Sequence, residues 1–349
     1  MAIYRKPDIN LLGLILAICN FKGGCGKTTS AVTFAHQFAA RGKRVLLLDM
    51  DSQANLTAHL CFPEDEKGSI GQALYNAYTD WTREQFEDQV VSVKVTQIRE
   101  PMDLVAGTSR FEENLSSLDI QLRKTDDQAI TQRLARCLEP LRAFYDIILI
   151  DTPPSLNGLI VDLVLNAADT VLIPVDGFMA VSGMIALTQR IDTAHKKRLR
   201  NGGRPLQTLI YCPHYIMDDS SPPVGPFQVR NSDWYPLLMA SFPKHFLLPA
   251  VRHTVSPTRS IRPGETWASL TRVARQDYQN LFQALNTALS DQTLPPFTVW
   301  KEQAGYDMMD TLTKAVWDDL HKTPRERNVI KKVKFIKNPP LPSPEEPSK

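Results

Sequence analysis

The chain has 349 residues, 43% of them hydrophobic and 22% charged, with 40 Lys and Arg against 38 Asp and Glu. This is ordinary soluble composition, and a net charge so near zero points to no partner by itself. The longest uncharged apolar run near the start, Leu11 to Cys19, is far short of the ~20 residues that span a bilayer, so neither a transmembrane nor a secreted protein is expected. Cys19, Cys25, Cys61, Cys137 and Cys212 form no C-x-x-C pair, which suggests neither a disulfide framework nor a zinc site and fits a reducing cytosol.

Short runs rich in Leu, Ile and Val predict buried strands at Leu11–Cys19, Val45–Asp49, Met102–Val105, Ile147–Ile150, Thr170–Val175 and Leu206–Tyr211. Between them, helices are expected at Thr28–Ala40, Ala129–Leu138, Leu156–Ala167 and Val181–Arg198. Such alternation implies an α/β fold, a mostly parallel, doubly wound sheet with helices on both faces and ligands at the carboxyl ends of the strands. Beyond Pro213 the rhythm loosens. Asp218–Gly225 is turn-rich and reads as a surface insertion, followed by a short strand at Phe246–Pro249 and a helix near Ser269–Ser290. Met309, Leu312, Val316 and Leu320 recur at helical spacing, and the proline-rich end from Asn338 reads as a disordered tail. The expected organisation is one sheet domain over residues 1–290, a helical and basic appendage over 291–337, and a tail over 338–349.

Lys22-Gly23-Gly24-Cys25-Gly26-Lys27-Thr28-Thr29 follows the first strand and opens the first helix. A glycine-rich loop in that context cradles phosphates. Backbone N–H groups point inward, the helix N-terminus adds positive potential, Lys27 reaches the β/γ oxygens, and the Thr28 hydroxyl ligates Mg²⁺. The usual G-x-x-x-x-G-K-[ST] pattern fails here, because its first glycine would fall on Phe21, and a second lysine, Lys22, stands five positions ahead of Lys27. Cys25 fills the variable position of the loop as a small residue that fits. Asp151 ends a buried strand, where a carboxylate can hold Mg²⁺ through water. Asp49 and Asp51 share a strand face by period two, so both can point at one site.

This loop resembles the deviant Walker A motif of the ParA/MinD family of ATPases. Val45-Leu-Leu-Leu-Asp49-Met-Asp51-Ser52-Gln53-Ala-Asn55 is similar to that family's second strand and first switch, with Ser52 in place of its proline. Ile147-Ile-Leu-Ile-Asp151-Thr152-Pro153-Pro154 resembles its Walker B strand and second switch. The likeness is good from about Leu14 to Ala186 and weak afterwards. It implies a P-loop NTPase fold, ATP and Mg²⁺ as cofactors, weak intrinsic ATP hydrolysis and an ATP-dependent homodimer. In that dimer Lys22 would cross to the phosphates bound by the partner. Asp51 would position or deprotonate the attacking water, and Asp49 would support the Mg²⁺ shell. Pro249 would lie in the nucleotide site, with adenine as the base.

Family members differ in the surface on which the switch acts. ParA-like proteins bind DNA non-specifically as ATP dimers, and MinD-like proteins insert a C-terminal amphipathic helix into membrane. Between Arg190 and Arg204, six basic residues including Lys196, Lys197 and Arg198 face only Asp192, and Arg252, Arg259 and Arg262 form a second group. Such clusters suit phosphate contacts without base readout. Arg190, Lys196, Lys197, Arg198, Arg252 and Arg262 are therefore the candidate DNA-binding residues. Val329–Lys337 has an apolar face opposite lysines, the form of an interfacial anchor, but prolines from Pro339 leave it two to three turns, and its alternation suits an edge strand equally. Membrane binding is thus not expected. Only ten residues precede Leu11, too few for a helix-turn-helix, so recognition of a particular DNA site is left to a centromere-binding adaptor. The sequence is read as a cytoplasmic, nucleoid-associated partition ATPase for a plasmid or chromosome. The alternative is a MinD-like or cargo-positioning ATPase. An iron-protein-like reductase would need paired cysteines beside the switches, and a non-hydrolysing scaffold sits poorly with Lys22, Lys27, Asp51 and Asp151.

Overall fold

The computed structural model describes residues 13–60, 91–93, 102–107, 131–154, 158–214, 235, 238–239, 242, 244–252 and 270–290. The expected insertion at 218–225, Arg259, Arg262 and everything beyond Ser290 lie outside the described residues. In chain order the elements are β1 (Leu14–Ile18), α1 (Lys27–Ala39), β2 (Val45–Asp49), α2 (Asn55–Leu60), β3 (Val91–Val93), β4 (Met102–Val105) and α3 (Arg133–Leu138). They continue with β5 (Ile147–Asp151), α4 (Gly158–Ala167), β6 (Thr170–Pro174), α5 (Phe178–Arg200), β7 (Gln207–Tyr211) and α6 (Arg272–Ser290).

The described strands form one sheet in the order β3-β4-β2-β5-β1-β6-β7. All neighbouring pairs run parallel except β3, which joins β4 antiparallel at the edge. Period-two alternation divides each central strand between two apolar layers. Ile15, Ala17, Leu46, Leu48, Ile148 and Ile150 face the layer under α3, α4 and α5. Leu16, Ile18, Leu47, Leu149, Leu172 and Leu209 face the layer under α1 and α6. Burial on both faces explains why these strands read as unbroken apolar runs. Each fully buried Leu or Ile contributes roughly 1.5–3 kcal/mol.

The expected fold class is therefore observed, with two local differences. The edge strand β3 carries no alternating pattern long enough to announce it. Phe246 makes only an isolated parallel bridge to Ile210 in place of a strand over 246–249. Of the helix expected over Ala129–Leu138, Ala129 and Ile130 lie outside the described residues; α3 ends at Leu138 as expected, and a 3-10 turn at Pro140–Ala143 follows, where Pro140 lacks the N–H that would continue the helix. Among the described residues no helix is long and apolar enough to cross a membrane.

The carboxyl ends of β1, β2 and β5 come together at one edge. β1 lies between β5 and β6, and Asp49 is in register with Asp151 across the β2–β5 pair. This edge is where a doubly wound sheet places its ligand.

Candidate functional site: a phosphate loop facing three aspartates

The loop from Phe21 to Gly26 leaves β1 and turns directly into α1. Gly24 and Gly26 adopt positive φ, 75° and 83°, a conformation that glycine reaches without steric cost. Gly26 also packs closely, since a Cβ there would sit 3.1 Å from the Pro213 ring. Its position as the residue before Lys27 leaves the first N–H groups of α1 directed into the loop without a side-chain cap.

Asn20, which the sequence did not single out, anchors the loop. Its Nδ2 donates to the carbonyls of Pro174 at 2.7 Å and Ala180 at 3.1 Å, and its Oδ1 accepts the Lys22 N–H at 3.0 Å. The loop is thereby tied to the end of β6 and the start of α5. Gly183 permits this approach, because a Cβ at that position would lie 2.5 Å from Asn20 Oδ1.

The two lysines are arranged differently. Lys27 is buried, and its Nζ donates to the Lys22 carbonyl at 3.0 Å, curled back across the loop. Lys22 projects outward to an ion pair with Asp176, Nζ to Oδ1 2.8 Å, with side-chain exposures of 32% and 10%. Cys25 is fully buried, its thiol donates to the Lys22 carbonyl at 3.2 Å, and burial pushes its pKa up to about 11. A thiol held neutral in this way is a packing residue.

Thr28 Oγ1 donates to Asp151 Oδ2 at 2.6 Å, joining the start of α1 to the end of β5. The Asp151 carboxyl is fully buried, and its Oδ1 has no hydrogen-bond partner. Burial foremost pushes its pKa up to about 8, against the Thr28 hydrogen bond and the charge of Lys27, while Asp49 and Asp51 push it further up. A buried carboxylate oxygen without a donor, beside a hydroxyl and other carboxylates, is an environment that a divalent cation satisfies. The donor set at Thr28 and Asp151 therefore fits Mg²⁺.

Asp49 and Asp51 are both buried but do not share a strand face, which corrects the period-two expectation. β2 ends at Asp49, and the chain then turns, with the Asp51 N–H donating back to Asp49 Oδ1 at 3.1 Å. Asp49 Oδ2 accepts both the N–H and the hydroxyl of Thr57, at 2.8 and 2.7 Å. Burial pushes the Asp49 carboxyl up to about 6 in spite of these donors. The Asp51 carboxylate accepts the Gln53 N–H at 2.9 Å.

Pro249 lies in a segment alongside the end of β7, held by the Leu247 N–H on the Ile210 carbonyl and the Val251 N–H on the Cys212 carbonyl. The same strand end carries Pro213, which abuts Gly26. The candidate nucleotide-site residues are thus at one sheet edge.

The basic residues fall into distinct groups. Lys197 and Arg200 lie in the last turn of α5, and Lys196 pairs with Asp192 one turn earlier at 2.6 Å. Arg190 is 3.7 Å from Asp162. Arg198 is turned inward onto the carbonyls of Leu165, Ala168 and Arg204, and burial lowers its pKa. Its guanidinium braces α5 against the end of α4, so the structure corrects its place in the expected DNA-facing set. Arg252 forks onto Asp277 of α6 with two 2.7 Å hydrogen bonds.

A family model described as an AAA domain matches residues 13–202. The chain is 37% identical over 186 residues to the sporulation initiation inhibitor protein Soj of Bacillus subtilis, covering 53% of this chain and 67% of Soj. It is also 37% identical over 185 residues to the chromosome partitioning protein ParA of Myxococcus xanthus, covering 52% of this chain and 59% of that protein. Among solved structures, a Cyanothece McdA–ATP complex superposes with a TM-score of 0.59 at 19% identity, over 81% of this chain and 98% of McdA. That last likeness concerns the fold.

Proposed function

The chain belongs to the ParA/MinD family of P-loop ATPases, and from that premise we propose that it is an Mg²⁺-dependent ATP hydrolase that partitions DNA. It is read as a cytoplasmic, nucleoid-associated protein with weak intrinsic activity. Its ATP-bound homodimer holds DNA non-specifically and is stimulated by a centromere-binding adaptor. The observation that carries the reading is the 2.6 Å contact of Thr28 with Asp151 at the mouth of the glycine loop, with Asp151 Oδ1 left for a cation.

In this reading the backbone N–H groups from Gly23 to Thr29 and the Lys27 ammonium bind the phosphates. Lys27 swings from the Lys22 carbonyl to the β/γ oxygens. Thr28 and Asp151 hold Mg²⁺, which supplies charge neutralisation at the phosphate oxygens when bound. Asp51 orients the attacking water and accepts its proton, while Asp49 supports this arrangement from behind. Lys22 leaves Asp176 and reaches the phosphates of the partner subunit, where it neutralises charge spreading over the transferred group. Dimerisation and catalysis are then coupled. Pro249 borders the base.

Lys197 and Arg200, with Arg190, Lys196 and Arg252 nearby in sequence or already in ion pairs, supply the phosphate contacts with DNA. The test is retention of an arbitrary duplex at low and high salt with ATP or ADP. Retention that needs ATP and falls steeply with salt supports the proposal, and equal retention in both nucleotides contradicts it.

A further inference from the structure

Resting on the hydrolytic reading above, we infer that Thr57 and Gly107 are positioning residues that hold Asp51 in line for the attacking water. The Thr57 hydroxyl is used twice. It donates to Asp49 Oδ2 at 2.7 Å and accepts the Gly107 N–H at 2.9 Å. One oxygen thus joins three segments: the end of β2, the first turn of α2, and the exit of β4.

Asp51 sits at the centre of that joint. Its N–H is fixed on Asp49 Oδ1, and its carbonyl accepts the Ala54 N–H at 2.9 Å. Gly107 closes the remaining side. A Cβ there would lie 2.8 Å from Asp49 Cγ and 2.9 Å from the Asp51 carbonyl oxygen, so only glycine lets β4 approach this closely. The turn between Asp51 and α2 also contains Ala54 at φ 51°, a left-handed conformation that non-glycine residues adopt at a cost. A segment strained in this way keeps its form only when its surroundings hold it. The Asp49–Thr57–Gly107 joint supplies that hold.

Ala54 precedes α2 and has no polar side chain to cap it. Asp49 performs the capping from a distance by accepting the Thr57 N–H in the first turn. The carboxylate that fixes the Asp51 backbone is therefore also the cap of the following helix. Any shift of Thr57 moves both.

The experiment compares Thr57→Val, which keeps the shape and deletes the hydroxyl, with Thr57→Ser, which keeps the hydroxyl, and with Gly107→Ala. Steady-state ATP turnover, binding of a fluorescent non-hydrolysable ATP analogue and thermal melting are measured on the full chain. Thr57→Val and Gly107→Ala should lower kcat by about 10–100-fold, the size expected when a reacting group is displaced by ~1 Å, with analogue affinity preserved. Thr57→Ser should restore turnover. A kcat within about twofold of wild type in the Val and Ala variants, or a loss of analogue affinity that parallels kcat, overturns the inference. So does a Ser variant as slow as the Val variant. A wild-type chain that binds the analogue and hydrolyses no ATP overturns the hydrolytic reading itself, an outcome distinct from turnover that ignores Thr57.

Discussion

Lys22 Nζ is paired with Asp176 Oδ1 at 2.8 Å within one chain, so the second lysine of the phosphate loop is held by its own subunit. A lysine that serves a partner must first leave this pair. Asp176 follows β6 and Lys22 follows β1, and Asn20 ties the two strand ends together, so the geometry is set by the sheet.

Removing the holding carboxylate should favour the ATP dimer. Asp176→Asn deletes a partly exposed ion pair worth at most about 1 kcal/mol, or about fivefold per subunit, and with two such pairs released per dimer it should tighten dimerisation in a non-hydrolysable ATP analogue by up to about 30-fold. Sedimentation velocity across a concentration series measures it. Lys22→Gln should abolish the dimer while leaving nucleotide binding largely intact.

The buried Asp151 makes the nucleotide-free protein sensitive to pH. Its folded pKa of about 8 lies above the ordinary carboxyl value of 3.8, so the folded state binds the proton more tightly than the unfolded one. Its contribution to stability is present at low pH and is lost as pH rises from about 4 to about 8. Asp151→Asn should therefore melt above wild type at pH 8–9 in the absence of Mg²⁺ and nucleotide, with the gap narrowing toward pH 5. The same variant should lose Mg²⁺-dependent nucleotide affinity.

The two ends of the basic surface should separate by assay. Arg198→Ala removes charged hydrogen bonds to the carbonyls of Leu165, Ala168 and Arg204 and should cost about 2 kcal/mol of stability, read as a lower melting temperature. Lys197→Ala and Arg200→Ala should leave melting unchanged and weaken DNA retention while flattening its salt dependence.

Arg252 and Asp277 bind the segment after β7 to α6. Burial raises the Asp277 carboxyl, but hydrogen bonds and charge from Arg252 outweigh it and hold it below its usual value. Its stabilisation is thus present above the ordinary carboxyl pKa and lost as pH falls. Asp277→Asn should lower the melting temperature at pH 7, and the difference from wild type should begin to shrink only as pH falls below about 4, vanishing once pH passes the depressed folded value.

The sheet and the phosphate loop were legible because their signals are local. Strands buried on both faces must be apolar throughout, and Val45–Asp49 and Met102–Val105 emerge with the bounds their residues suggest. Glycines and lysines at fixed spacing mark a loop wherever it occurs. What the sequence hid depends on distant partners. Arg198 resembles its basic neighbours until the end of α4 is found beneath it. Thr57 is one polar residue in a short helix until Gly107 arrives 50 residues later. Asp51 falls on the strand face of Asp49 only if β2 continues, and β2 ends at Asp49, two residues too soon. Asp176 and Asn20 carry no motif, and their roles come from the order in which β1 and β6 are paired.

In the proposed dimer each active site draws Lys22 from the opposite subunit. Turnover in an equimolar mixture of Lys22→Gln and Asp51→Ala chains tests it most directly, with each variant alone as the reference. In the mixed dimer, the Lys22→Gln subunit keeps Lys27 and Asp51 and receives Lys22 from its partner, so the mixture should hydrolyse ATP although each variant alone does not. A mixture no more active than its separate components would contradict the account.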